Sequence, residues 1–236
     1  MWTLVTGGAK KFGAALCKRL AKKGHNIVVH YKESFEEALL VAQDCREWGV
    51  KSEILRGDFS SKESTQNFIE EYKRYFPATK LVVNNVGIYI IASALKTQQD
   101  DWSMIFQTNL HAPFMLIRSL ASSLRGCKGN IINIGAAGLN SIRADVYSTA
   151  YTITKQSLWI LTKSLAKEFA PDGVRVNMIS PGHLEYSVDL PKDFSSLLFS
   201  RPSTLEELLR AVLFFADDAS SHITGQNLEV AGGARL

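Results

Sequence analysis

The chain has no run approaching the roughly 20 apolar residues needed to cross a bilayer. It also lacks a charged segment leading into an apolar one at its start, where residues 2–6 enter a strand at once. Membrane insertion and export are therefore not expected, and the cytoplasm is the expected location. Cysteine is scarce: Cys17, Cys45 and Cys127 are odd in number, far apart and in no Cys-x-x-Cys or Cys/His spacing. That pattern argues against a disulfide framework and a zinc site, and no metal is expected. No block of one charge sign occurs; 27 basic and 23 acidic residues are spread along the chain, without the Lys/Arg cluster that tracks a phosphate backbone, so nucleic acid is not an expected partner. Repeats, linkers and low-complexity tracts are absent as well. With 236 residues and 46% hydrophobic content, one core over residues 1–236 is the economical reading.

What is present alternates between strand and helix. Residues 1–6 form a short apolar strand running into Gly7-Gly-Ala-Lys10-Lys11-Phe12-Gly13, after which residues 14–23 have helical periodicity. Strand, glycine turn and helix are the context of a phosphate-cradling loop, in which backbone N–H groups and the helix dipole face a pyrophosphate. Residues 26–30 are a second strand, followed by Tyr31, Lys32, Glu33 and Ser34 and a helix over 35–48. In a dinucleotide unit this strand end meets the adenosine ribose, where an acidic residue selects NAD. Here Lys32 and Ser34, with Lys10 and Lys11, are placed to take a 2′-phosphate, which favours NADPH despite Glu33. A third strand over 51–56 ends in Gly57-Asp58-Phe59, and an amphipathic helix covers 62–76. Residues 80–87 are a buried strand with a polar turn containing Asn84, Asn85 and Gly87, placed to border adenine and ribose.

Residues 101–124 read as a long helix with Asn109 in its middle, either a satisfied buried polar group or part of a proton relay. A fifth strand covers 130–134, and a helix over 146–170 carries Tyr151 and Lys155. Four residues apart on a helix, these two share a face, and a nearby ammonium is expected to lower the phenol pKa and make it a proton donor to a developing alkoxide. A sixth strand over 174–180 ends in Pro181-Gly182, residues 183–201 read as a mobile lid, a helix over 203–216 opens on a Ser/Thr cap with Glu206, and 226–231 is a last strand. The expected fold is α/β: a single-domain, doubly wound Rossmann fold with a mostly parallel seven-stranded sheet, helices on both faces and the candidate site at the strand carboxyl ends.

Thr6-Gly7 through Gly13, Gly57-Asp58, Asn84-Asn85-Val86-Gly87, Asn109, Tyr151-x-x-x-Lys155, Pro181-Gly182 and Thr224-Gly225 together resemble the short-chain dehydrogenase/reductase family over essentially the whole chain. The resemblance implies an NAD(P)H-dependent oxidoreductase. In it Tyr151 donates a proton, Lys155 holds the nicotinamide ribose and tunes Tyr151, and Asn109 anchors a water relay. It also implies pairing into a homotetramer or homodimer through the two long helices, whose apolar residues include Phe114, Leu120, Trp159 and Leu165. Finer features resemble the pteridine reductase branch: Lys11 in place of a third glycine, the run from His30 to Ser34, and Tyr89, where that branch sandwiches a pterin against nicotinamide. One feature departs: Ala136 stands where the family carries a substrate-orienting serine, leaving Ser141, Asp145 or Ser148 to enter the site from a longer loop. The leading expectation is reduction of a C=N or C=O bond in a small, pterin-like substrate. A 3-oxoacyl carrier-protein reductase acting with an acyl carrier protein is the first alternative, and a catalytically weakened dinucleotide-binding regulator the second.

Overall fold

The computed structural model describes residues 1–234. Seven strands, β1 (Trp2–Val5), β2 (Asn26–Tyr31), β3 (Ser52–Arg56), β4 (Thr79–Asn84), β5 (Asn130–Ile134), β6 (Arg175–Pro181) and β7 (Asn227–Val230), form one sheet in the order β3-β2-β1-β4-β5-β6-β7. Every neighbouring pair is parallel, so the expected mostly parallel sheet is wholly parallel. The reversal of strand order lies between β1 and β4, which opens a crevice above their carboxyl ends. The helices are α1 (Lys11–Lys22), α2 (Phe35–Arg46), α3 (Lys62–Tyr75), α4 (Gln99–Phe106), α5 (Ala112–Gly126), α6 (Thr149–Phe169) and α7 (Leu205–Ala216).

The strands read as nearly continuous apolar runs because both faces are covered. Successive side chains point to opposite faces, and the two cores divide accordingly. Val5, Val29, Val83, Ile132 and Ile179 join α1, α2 and α7 on one face. Leu4, Val28, Val82, Ile131 and Val176 join α3, α5 and α6 on the other.

Three local expectations are corrected. The helix anticipated over 101–124 runs without a gap but is not uniform: α4 and α5 are joined by a π-helical turn, Gln107–His111, which contains Asn109. The helix carrying Tyr151 begins at Thr149 rather than 146, because Asp145 Oδ1 accepts the backbone N–H groups of Tyr147 and Ser148 and holds them in a turn. The capping box of α7 uses Thr204 and Glu207. Glu206, one position earlier, instead binds Arg19 of α1 through two contacts of 3.1 and 2.6 Å.

Candidate active site

The loop between β1 and α1 is built around close backbone approach. Gly7 has φ +64°, and a Cβ on Gly13 would lie 2.0 Å from the Gly7 carbonyl oxygen, so no side chain fits there. Thr6 Oγ1 accepts the N–H groups of Asn85 and Val86 at 2.8 and 3.0 Å, and the Asn85 amide donates to Thr6 O, which ties the loop to the end of β4. His30 works from behind. Its Nδ1 accepts the Gly7 N–H at 2.9 Å, so Nε2 carries the proton and donates to Gly57 O at 3.1 Å. Burial pulls the imidazole pKa down to about 4, and the ring stacks on Phe59. His30, Phe59 and the buried Phe12 and Tyr31 therefore shape the cradle from its core side.

At the mouth of the cradle, α1 starts without a side-chain cap and with no acidic residue in its first turn, leaving its N–H groups for an anion. Lys11 has φ +48°, the left-handed conformation suited to glycine, and carries a cation there. These features fit a dinucleotide pyrophosphate. The lysines proposed for a 2′-phosphate are partly engaged already: Lys10 pairs with Glu37 at 2.8 Å and Lys32 with Asp58 at 3.2 Å. Although burial pushes the Asp58 carboxyl up, the Ser60 N–H and the Lys32 ammonium hold it below its ordinary range. Ser34 is the N-cap residue of α2 and makes no capping bond with its side chain.

Across the crevice, Asn109 is fully buried; its Oδ1 accepts the Ile88 N–H at 2.8 Å, and its Nδ2 donates to Ile88 O at 2.9 Å and Thr154 Oγ1 at 3.3 Å. The π turn aims the amide inward, and the amide fixes the segment from Gly87 to Tyr89. Lys155 Nζ donates to Ile134 O at 2.7 Å, and a Cβ on Gly87 would touch it at 3.4 Å. Burial lowers the lysine pKa to about 8. The expected depression of the Tyr151 pKa is corrected: burial, reinforced by Tyr89 and Asp189, pushes it up. Desolvation outweighs the ammonium, whose Nζ is engaged on Ile134 O and stands 5.7 Å from the Tyr151 ring centre.

Ala136 lies at the end of β5, where Ala137 N donates to Pro181 O at 3.0 Å, and Gly182 N donates to Val230 O at the end of β7. Ala136 lines a cavity of about 620 Å³ with Tyr89, Arg143, Asp145, Gln156, His183 and Asp189. Of the loop residues considered as substitutes for a serine, Asp145 is spent on backbone N–H groups and on the hydroxyls of Ser148 and Thr152. Ser148 donates to Asp145 at 3.1 Å, and Ser141 Oγ accepts from Arg143 Nε at 2.9 Å.

Two site residues escape sequence reasoning. Asp189 Oδ2 accepts the Tyr89 hydroxyl at 3.1 Å, and its Oδ1 lies 3.5 Å from His183 Nδ1. The Tyr89 ring meets Tyr151 edge to face at 4.8 Å, and burial, with Asp189 adding and Ser148 opposing, pushes the Tyr89 phenol up to about 12. Both residues come from the segment after β6, whose lack of periodicity gave no signal beyond its position after Pro181-Gly182.

A glycine cradle at the β1–α1 turn and a Tyr/Lys pair above β4 and β5 define a dinucleotide-dependent oxidoreductase of the Rossmann type. The chain belongs to the short-chain dehydrogenase family, whose model matches residues 1–193. It is 30% identical to the 3-oxoacyl carrier-protein reductase FabG of Staphylococcus aureus over 98% of this chain and 96% of that one. Acetoin dehydrogenase YohF from Salmonella typhimurium superposes with a TM-score of 0.89 at 26% identity, covering 98% of this chain and 94% of that one. A blue fluorescent protein from a metagenomic library, crystallised with NADPH, gives 0.91 at 25% identity and covers 99% and 97%. The protein is thus an NAD(P)H-dependent oxidoreductase. No described helix is long and apolar enough to cross a membrane, and no cluster of three metal-ligating side chains occurs among the described residues.

Proposed function

We propose that the protein is an NADPH-dependent reductase of a C=N or C=O bond in a small, planar, pterin-like substrate. One observation carries the reading. The position that would orient a carbonyl is Ala136, while the wall facing Tyr151 is an aromatic ring, Tyr89, whose hydroxyl is held by a carboxylate. Developing negative charge on a carbonyl oxygen is poorly served by a neighbouring carboxylate, whereas the N–H groups of an amino-substituted heterocycle are well served by one. When bound, the reduced nicotinamide supplies the hydride. Tyr151 holds the proton for the receiving atom, Lys155 braces the site from Ile134, and Asn109 fixes the segment bearing Tyr89.

Preference for NADPH is supported by Lys11 and Lys32 at the cradle and by the NADPH-bound neighbour. A titration is expected to show at least about tenfold tighter binding than NADH, about 1.4 kcal/mol. A cytoplasmic location is supported by three unpaired thiols, two of them buried. Self-association is supported by Phe114, Ile153 and Ile160, exposed on the α5 and α6 surfaces; Leu120 and Trp159 are buried within the chain. Reduction of 3-oxoacyl thioesters on a carrier protein is the second reading, favoured by the FabG relative. A panel of dihydropterin, acetoacetyl thioester and quinone, followed by NADPH consumption, separates the two; turnover of the thioester without the pterin would replace the first reading by the second.

A further inference from the structure

The Asp189 carboxylate lies outside the glycine cradle and the Tyr/Lys pair, and it holds the hydroxyl of Tyr89, whose ring packs against Tyr151. It comes from the segment after β6, accepts the Tyr89 hydroxyl at 3.1 Å and faces His183 at 3.5 Å; about a third of its side chain, 32%, remains exposed in the cavity. The other carboxylate of that cavity, Asp145, is occupied in starting α6. The cavity cation, Arg143, hydrogen-bonds to Ser141. The imidazole of His183 neutralises Asp189 only when it carries a proton.

A carboxylate in this place works against an oxyanion. It repels negative charge on a carbonyl oxygen and on Tyr151 after proton loss, and the tyrosine holds its proton the more firmly for it. The same charge attracts a substrate that arrives positively charged. We propose that Asp189 is a specificity-determining residue that selects a cationic C=N substrate, a protonated imine or iminium, over a neutral ketone of the same shape. This rests on the reductase reading above and narrows it. The chemistry balances without an external proton. Hydride addition forms a C–H bond at the imine carbon, the π pair returns to nitrogen, the positive nitrogen becomes a neutral amine, and the dinucleotide is oxidised. Tyr151 then keeps its proton and serves as a hydrogen-bonding wall, which suits a phenol whose pKa is raised.

The test compares a methyl-substituted pyrroline, protonated in the assay, with methylcyclopentanone, using NADPH and the parent, Asp189→Asn and Asp189→Glu proteins. The parent is expected to show at least about tenfold higher kcat/KM for the imine, about 1.4 kcal/mol in transition-state terms. Asp189→Asn is expected to erase that preference, mainly through KM for the imine, and Asp189→Glu to restore part of it. NADPH affinity should be unchanged in both variants, which controls for folding. An unaltered imine-to-ketone ratio in Asp189→Asn overturns the proposal. If the parent reduces neither compound, the dihydropterin, thioester and quinone panel decides the reductase reading, and a binding arm decides the selectivity by itself. Calorimetric titration of the NADP-loaded protein should show at least about tenfold tighter binding of methylpyrrolidinium than of cyclopentanol, lost in Asp189→Asn. Equal binding of the two, or binding indifferent to the substitution, overturns the assignment of Asp189.

Discussion

Lys155 gives the most quantitative handle on the site. Its side chain is 3% exposed, its Nζ donates to Ile134 O at 2.7 Å, and burial lowers its pKa from 10.5 to about 8. That gap corresponds to about 3 kcal/mol by which the folded site disfavours the ammonium at neutral pH. Lys155→Met keeps an unbranched chain of similar length and removes the charge. It also removes one hydrogen bond and leaves a carbonyl unpaired, which costs about 1–3 kcal/mol. At pH 7 the variant is therefore expected to match the parent or exceed it by up to about 2 kcal/mol in unfolding free energy, although turnover is lost. The pH dependence fixes the sign. The folded pKa lies below the unfolded one, so between about 8 and 10.5 the unfolded chain binds more protons and the parent gains stability as pH rises. The penalty is complete below that window and gone above it. The variant has no such dependence, so its advantage should shrink by about 3 kcal/mol from neutral pH to the top of the window. Urea unfolding of both proteins across this range measures the difference, and other titrating groups cancel in it. A difference that is flat, or that grows with pH, refutes the assignment of a desolvated ammonium.

Other outcomes follow from the same geometry. Gly13→Ala would put a methyl group 2.0 Å from Gly7 O, so dinucleotide affinity should fall by about 100-fold or more, about 2.7 kcal/mol, with the far-ultraviolet dichroism unchanged; parent-like affinity in a fluorescence titration would contradict the cradle. The Tyr186 hydroxyl is buried with the Phe12 backbone as a weak polar partner, and Tyr186→Phe is expected to change the stability of the free protein by no more than about 1 kcal/mol in thermal unfolding, a larger loss being the contrary result. Asp189→Asn removes a negative charge that raises the Tyr151 pKa. Since ketone reduction needs protonated Tyr151, the alkaline limb of its kcat/KM profile should move to lower pH; a limb that stays or moves up would show that Asp189 does not act on the phenol.

The parts of the fold legible in the sequence are those written in local pattern. Buried parallel strands show as unbroken runs such as Leu81-Val82-Val83, and the glycine loop shows because only glycine tolerates the 2.0 Å approach at position 13. Tyr151 and Lys155 are legible because helical spacing puts them on one face. The π turn at Asn109 was not, since one residue of slippage in a helix leaves no compositional mark, and the helix start at Thr149 depends on Asp145 reaching backbone groups two and three residues ahead. Electrostatic direction was the least legible. The Tyr/Lys spacing implies a lowered phenol pKa, but the depth of the phenol and the approach of Asp189 from a segment 38 residues further along the chain are properties of packing.

Tyr151 is pushed up and Lys155 down largely by one cause, burial, since burial disfavours whichever form is charged: phenolate for tyrosine, ammonium for lysine. The phenol therefore keeps its proton firmly, while the lysine, lowered to about 8, still carries its charge at neutral pH at a cost and spends it on Ile134 O. In a ketone-reducing site a serine hydroxyl would help by donating to the oxygen, but position 136 offers a methyl group. Among the groups lining the cavity, the two nearest Tyr151 by their contacts are an aromatic ring, Tyr89, and the partly exposed carboxylate that holds its hydroxyl, Asp189, and neither of these two stabilises an oxyanion. Both stabilise a cation, the ring through its face and the carboxylate through its charge. A substrate whose positive charge disappears on reduction asks least of a proton donor that holds its proton tightly. The absence of the serine and the presence of Asp189 thus point the same way: the site has exchanged stabilisation of a developing oxyanion for recognition of a charge the substrate brings with it.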